Sequence, residues 1–369
     1  MRIILLITAL AVSLAGDTHS AQAQGRTRNV VLIVTDGLRW QEVFSGAERA
    51  LVRRKNGGVG DTTKLLRDFW RESPDARRQE LLPFLWGTVA AKGVIYGNRL
   101  RGSEARITNT MKFSYPGYNE LLTGRPDPRI DSNDYSPNPN ETVFEWLATR
   151  PRLRGKVAGF ATWNAFRRIL NRDRAGIPVH DGWDPPFAAA RTPTPRMRII
   201  DELYRTSVKL WDNNAFDAPM HLATKEFIRA NRPRVLFVGY GETDEWAHSG
   251  RYDMVLRSAH QVDAFIADLW ATMQAMPEYR GTTTFIITTD HGRGSGPEKW
   301  RDHGKDVDGA EDIWIAVLGP DTPALGERAQ AGLVTQSQVA ATIAALLGED
   351  WRARNPRSGP ALHEAIGRR

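Results

Sequence analysis

The sequence predicts an α/β fold: a mostly parallel central sheet with helices on both faces. Three observations predict it. Short runs of consecutive apolar residues recur, as in strands buried on both sides. Stretches with helical apolar spacing lie between those runs, the alternation that builds parallel sheets. Several runs end in Asp next to Gly, Thr or His, and open α/β sheets gather their ligands at the carboxyl ends of strands.

In chain order, Arg2 precedes the apolar run Ile3–Leu14 and then Ala21-Gln22-Ala23. That is a secretory signal peptide at 1–23, which predicts an exported chain, periplasmic or secreted. The apolar run is too short to span a bilayer, and no later stretch is apolar enough. A single folded domain is then expected over 24–369. Val30–Val34 is the first core strand, closed by Thr35-Asp36-Gly37. Residues 40–100 read as a surface insertion, with a glycine-rich loop at Lys55–Gly60, helices over Leu65–Trp70 and Leu81–Ala91, and a short strand at Val94–Tyr96.

Thr108–Gly124, TNTMKFSYPGYNELLTG, leads into a loop at 125–141 rich in Asp, Asn and Pro. A helix follows at Thr142–Thr149 and strands at Lys156–Thr162 and Val235–Gly239, the latter running into GYGETDEWAH. Tyr252–Met276 is a helix with Val262, Phe265, Ile266, Leu269, Trp270 and Met273 on one face, stopped by Pro277. Thr284–Gly294, TFIITTDHGRG, organises the rest: a buried strand at Phe285–Ile287 delivers Asp290 and His291 side by side into a glycine turn. Ile313–Leu318 is a further strand, and Thr335–Leu347 a helix with the capping box Thr335/Gln338 and a closing Gly348.

Composition narrows the chemistry. The 369 residues carry a formal charge of +7, with 41% hydrophobic and 25% charged residues. The basic residues are scattered, so no nucleic-acid-binding motif stands out, although a diffuse positive field helps to attract phosphate or sulfate esters. There is no cysteine. No disulfide is available, and a metal site has only Asp, Glu, His and hydroxyl groups to use.

Four groups stand just past predicted strands: Asp36; Asp244 with His248; Asp290 with His291; and His303 in WRDHGKD. Asp244 and His248 are four apart, on one face of a helix. Each has a plainer reading: a strand-end Asp as a turn or cap residue, His248 as a surface helix histidine, His303 as a loop histidine beside Asp302 or Asp306. Their common order and setting favour a metal site, with Zn²⁺ as the natural ion and Mn²⁺ possible for carboxylate and imidazole ligands. Ser114, at the start of the next predicted helix, is either a nucleophile favoured by the helix dipole and a neighbouring metal or simply the helix N-cap.

Together these motifs resemble the alkaline phosphatase superfamily, closest to its nucleotide pyrophosphatase/type I phosphodiesterase branch. The resemblance rests on VLIVTDG (31–37), FSYPGYNELLTG (113–124), TDEWAH (243–248), TTDHGRG (288–294), DHG (302–304) and the closing helix in Val334–Gly348. It implies an alkaline phosphatase-like three-layer sandwich and two zinc ions. One would be held by Asp36, Ser114, Asp290 and His291, the other by Asp244, His248 and His303. It implies a hydrolase of small phosphate esters, monoester or diester, with Ser114 attacking phosphorus to give a phosphoseryl intermediate.

The sequence departs from the branch in places. Its nucleophile is usually threonine, and an Asn-His pair stands where this chain has Gly117-Tyr118. The asparagine that donates to a phosphoryl oxygen is best matched by Asn133, with Asn138 and Asn140 behind it; Asn133 read plainly is a turn residue. Trp163 and Asn164 are candidates to line the substrate pocket, and Arg167, Arg168 and Arg174 to contact phosphate. No C/S-x-P-x-R motif is present, which argues against a formylglycine sulfatase. The alternatives are a sulfate or phosphonate ester hydrolase, a phosphoglycerate-mutase-like phosphotransferase, or, in another class, a non-catalytic metal- or phosphate-binding protein. An exported mutase would be separated from its cytoplasmic sugar phosphate.

Overall fold

A computed structural model describes residues 25–367. The expected signal peptide lies outside the described residues. The central sheet has eight strands: β1 (Asn29–Thr35), β2 (Val94–Tyr96), β3 (Val157–Ala161), β4 (Val179–Asp181), β5 (Val235–Tyr240), β6 (Thr283–Thr288), β7 (Ile315–Leu318) and β8 (Gly326–Glu327), in the order β4-β3-β5-β1-β6-β7-β2-β8. β1 is parallel to β5 on one side and β6 on the other, and β3 and β4 continue that direction. β7 runs against both β6 and β2. Ile313, expected at the start of β7, instead donates its backbone N–H to Ala105.

Every residue of β1, NVVLIVT, is buried, as befits β-branched side chains in the middle of a sheet covered twice. Successive residues point to opposite faces. Val31 and Ile33 enter the core that also holds Val262, Ile266 and Leu269 of the long helix α4 (Tyr252–Ala275). Val30, Leu32 and Val34 enter the core on the other face, with Tyr118, Leu121 and Leu122 of α1 (Ser114–Thr123), Val143 and Phe144 of α2 (Val143–Ala148), and Ile343 of α5 (Val339–Leu346). This is the three-layer arrangement expected from the alternation of elements. Capping boxes form at Thr142/Glu145 before α2 and at Thr335/Gln338 ahead of α5.

The stretch 40–100 packs on the α4 face, burying Leu65, Phe69, Leu81, Leu85 and Val89. Asp263 of α4 accepts from the backbone N–H groups of Phe84 (2.7 Å) and Leu85 (2.9 Å), and the stretch then enters the sheet through β2. No helix among the described residues is long and apolar enough to cross a membrane.

The topology sets the site. β5, β1 and β6 are adjacent and parallel, so the residues just beyond their carboxyl ends emerge together. Asp36 follows β1; the short helix α3 (Glu242–His248) follows β5; Asp290 and His291 follow β6. α1 is drawn in from the flank because Gly117 has no side chain: a Cβ there would lie 2.5 Å from the Asp290 carbonyl oxygen.

Candidate active site

Asp36, Asp244, His248, Asp290, His291, His303 and Ser114 converge on one place. His291 is fully buried at its centre. Its Nε2 lies 3.3 Å from Ser114 Oγ, 3.5 Å from Asp36 Oδ1, 3.6 Å from Asp290 Oδ2 and 3.8 Å from Asp244 Oδ1. Its Nδ1 is 2.9 Å from the Gly292 carbonyl oxygen. An Nδ1–H donated there leaves Nε2 to face the carboxylates and the serine. The His303 ring stacks on that of His291 with centroids 4.0 Å apart. His248 Nε2 approaches His303 Nε2 at 2.9 Å and Asp244 Oδ2 at 3.2 Å, from the solvent side.

Ser114 occupies the first turn of α1, but the N-cap residue is Phe113, and the serine makes no capping bond. The plain N-cap reading of Ser114 is therefore not what the structure contains. Asn133 supplies the cap instead, its Oδ1 accepting from the Tyr115 N–H at 2.9 Å.

The carboxylates share a pattern that tests whether a divalent cation fits. Each of Asp36 and Asp290 has one oxygen held by the protein and one buried without a partner. Tyr118 donates to Asp36 Oδ2 at 2.9 Å, and the Gly37 N–H donates to Asp290 Oδ1 at 3.1 Å. Asp36 Oδ1 and Asp290 Oδ2 are the unpartnered atoms, and both face His291 Nε2. A buried oxygen without a donor is costly, and a cation relieves it. Asp36, Asp290 and His291 each present a ligand atom within 4.8 Å of the others, as do Asp244, His291 and His303. Oxygen and imidazole nitrogen without thiolate is a donor set that fits such an ion.

The electrostatics say the same. Burial, and then the facing Asp36, push the Asp290 carboxyl up to about 7. Burial would lower the His291 imidazole, but the Asp290 and Asp36 carboxylates outweigh it and raise it to about 9. Burial, with the charges of His291, Arg293 and His248, holds His303 far below the usual histidine range, so it presents a neutral ring. Protons thus accumulate on the acid side of the cluster, where a divalent cation would displace them.

Two groups that the residue-by-residue reading missed support this cluster. Tyr118 is buried, and burial together with Asp290 and Asp36 keeps its phenol protonated well beyond the ordinary tyrosine range, so it remains a donor. Arg293 is also buried, pairs with Asp244, and by burial is lowered to about 9. Both lay inside quoted motifs. A bulky polar residue in an otherwise small-residue or apolar stretch was the available signal.

Other candidates are not part of this cluster. Trp163 and Asn164 follow β3; Trp163 is half-buried edge-on to Phe166, Asn164 is exposed, and neither hydrogen-bonds to the cluster among the described residues. Asn138 and Asn140 are consumed below the 125–141 loop, Asn138 donating to the Ile169 carbonyl (3.2 Å) and Asn140 to Asp127 (2.8 Å) and Asn119 (3.0 Å). Arg167 is paired with Asp181 and Asp184, and Arg174 with Glu145, so these two are structural rather than free phosphate ligands. Arg168 donates to the Asn133 carbonyl at 3.3 Å.

The family profile described as type I phosphodiesterase / nucleotide pyrophosphatase matches residues 49–313. The chain belongs to that family. It is a hydrolase of the alkaline phosphatase superfamily. Solved structures with the same fold include a 2-O GAG sulfatase (TM-score 0.55, 13% identity, 93% of this chain and 75% of that one). Others are the phosphonate monoester hydrolase of Silicibacter pomeroyi (0.52, 15%, 92% and 77%) and the lipoteichoic acid synthase LtaP from Listeria monocytogenes (0.51, 12%, 89% and 73%). No curated protein matches. The phosphodiesterase profile starts after Asp36 and spans Ser114, Asp244, Asp290 and His303.

Proposed function

We propose that this chain is an exported, zinc-dependent phosphoric ester hydrolase, acting on small phosphodiesters or phosphomonoesters through a phosphoseryl intermediate on Ser114. The observation that carries the reading is the Ser114 hydroxyl in the first turn of α1, 3.3 Å from His291 Nε2 and at the edge of the acid–imidazole cluster. Export rests on the Arg2–Ala23 pattern.

Asp36, Ser114, Asp290 and His291 would hold one ion, and Asp244, His248 and His303 the other. A bound pair supplies charge neutralisation at the attacking and leaving oxygens of an in-line displacement. The chain's own groups do the rest. The positive end of α1 favours the ionised Ser114 oxygen. Ser114 Oγ attacks phosphorus, the bond to the leaving oxygen breaks, and that oxygen takes a proton from water. Water then attacks the phosphoseryl phosphorus, the bond to Oγ breaks, and Ser114 recovers its proton. Two in-line steps give net retention. Asn133, whose Oδ1 already accepts from Tyr115, keeps its amide N–H₂ to donate to a phosphoryl oxygen. Trp163 and Asn164, on the same rim of the sheet, would line the leaving-group side.

A sulfate or phosphonate ester is the second reading, because proteins with this fold include a sulfatase and a phosphonate monoester hydrolase. Assay of p-nitrophenyl phosphate, bis-p-nitrophenyl phosphate and p-nitrophenyl sulfate separates the classes; turnover of the sulfate alone overturns the phosphate reading, and no turnover of any favours a binding protein. Ser114→Ala is expected to lower kcat roughly 10³-fold or more while the fold is kept. An active Ser114→Ala enzyme removes Ser114 as nucleophile.

A further inference from the structure

Arg293 is a buried cation inside the site that the reaction scheme does not use. Its side chain is 1% exposed. From the turn after β6 its guanidinium reaches the other ligand-bearing segments. Nε donates to the Gly37 carbonyl at 3.1 Å, next to Asp36. Nη1 donates to the Arg301 carbonyl, two residues before His303. Nη2 pairs with Asp244 Oδ1 and also donates to the Asp244 carbonyl at 3.4 Å.

The neighbouring backbone is shaped to admit it. Gly37 has φ +57°, and a Cβ there would stand 2.8 Å from Arg293 Nε, from Nη2 and from Asp244 Oδ1. Tyr118 ties one oxygen of Asp36 and the Gly37 N–H ties one oxygen of Asp290. Among the described residues Asp244 has no such donor except Arg293; its other oxygen faces His248 at 3.2 Å. Only a planar fork with several fixed donors spans these acceptors at once, and a lysine ammonium does not.

We propose that Arg293 is the positioning residue of the Asp244/His248/His303 metal site: it holds Asp244 Oδ1 beside His303, 3.8 Å away, leaves Oδ2 facing His248, and fixes the Gly37 and Arg301 backbones on either side. The proposal rests on the two-ion reading above. Outer partners that orient a ligand typically change metal affinity by about 10–100-fold when removed.

The test is metal titration of chelator-stripped full-length protein, for the wild type, Arg293→Met, Arg293→Lys and Gly37→Ala. Co²⁺ binding is followed by visible absorption, which reports ligand number and geometry, and Zn²⁺ by competition with a chromophoric chelator. The expected result is two ions on the wild type and, in Arg293→Met, one site weakened roughly 10–100-fold with an altered Co²⁺ spectrum. Arg293→Lys should fall between, and Gly37→Ala should reproduce the defect by displacing the guanidinium. A role in folding alone would lower Tm but leave the affinity ratio of the two sites and the Co²⁺ spectrum unchanged, which overturns the proposal. If Arg293→Met does not fold, the same readings on Arg293→Lys and Gly37→Ala decide it. A wild type that binds fewer than two ions overturns the parent reading instead.

Discussion

Asp36 and Asp290 show most clearly how single residues build this site. Each has one oxygen fixed by a donor from a distant segment and one left for a cation. The titration of His291 makes a prediction at this scale. Its folded value, about 9, lies above the ordinary histidine value of 6.5. A raised value means that the folded state binds the proton more tightly. That contribution to stability is complete below 6.5 and is lost as pH rises through 9. Asp290, raised to about 7, has the same sign in its own lower window. The metal-stripped protein should therefore lose thermal stability between pH 7 and 9, and added Zn²⁺ should reverse the loss. Melting curves with chelator across that range check it; a flat or rising Tm contradicts it.

The candidate ligands Asp36, Asp290 and His291 were legible because they stand just past apolar runs. Tyr118 and Arg293 were not, since their partners lie 82 and 49 positions away and a bulky polar residue in its stretch does not name its partner. Arg167 and Arg174 misled for the converse reason: a basic residue near a loop looks free until its carboxylate partner is placed beside it.

At the scale of elements, the position of Ser114 depends on how α1 is held. Glu120, fully buried in α1, accepts from the N–H and hydroxyl of Thr108, the N–H and side-chain amide of Asn109, and the hydroxyl of Ser337. The carboxylate thus joins α1 to the preceding loop and to the turn that opens α5. Glu120→Gln places an N–H₂ among donors, so it should cost about 1–3 kcal/mol of stability and lower turnover by loosening α1. Chemical denaturation and kcat measured at one temperature check both; unchanged stability contradicts this account of the anchor.

The core strands and the helix at 252–276 were readable within a residue or two, because burial on two faces and helical periodicity leave strong local patterns, but the strand Val179–Asp181 and the helices Pro195–Thr206 and Asp217–Asn231 were not read. The packing of 40–100 was less so. Its short helices are individually ambiguous, and they find their place through long-range contacts such as Asp263 with the Phe84 and Leu85 amides. The turn-rich 125–141 loop likewise gave no hint that Asn133 would cap α1 from outside the helix.

For the molecule as a whole, the parallel order β5-β1-β6 is what turns scattered motifs into a site. Three neighbouring strands end on one rim, and the cores on the two faces hold that rim rigid. A net charge of +7 adds a weak pull on anionic esters. The central claim is that two divalent ions sit side by side on this rim and serve one serine. Crystals of the zinc-loaded protein, with diffraction recorded on either side of the zinc absorption edge, test it directly. The account predicts two anomalous peaks about 4 Å apart, one bounded by Asp36, Ser114, Asp290 and His291 and the other by Asp244, His248 and His303. A single peak, or peaks away from Ser114, would contradict it.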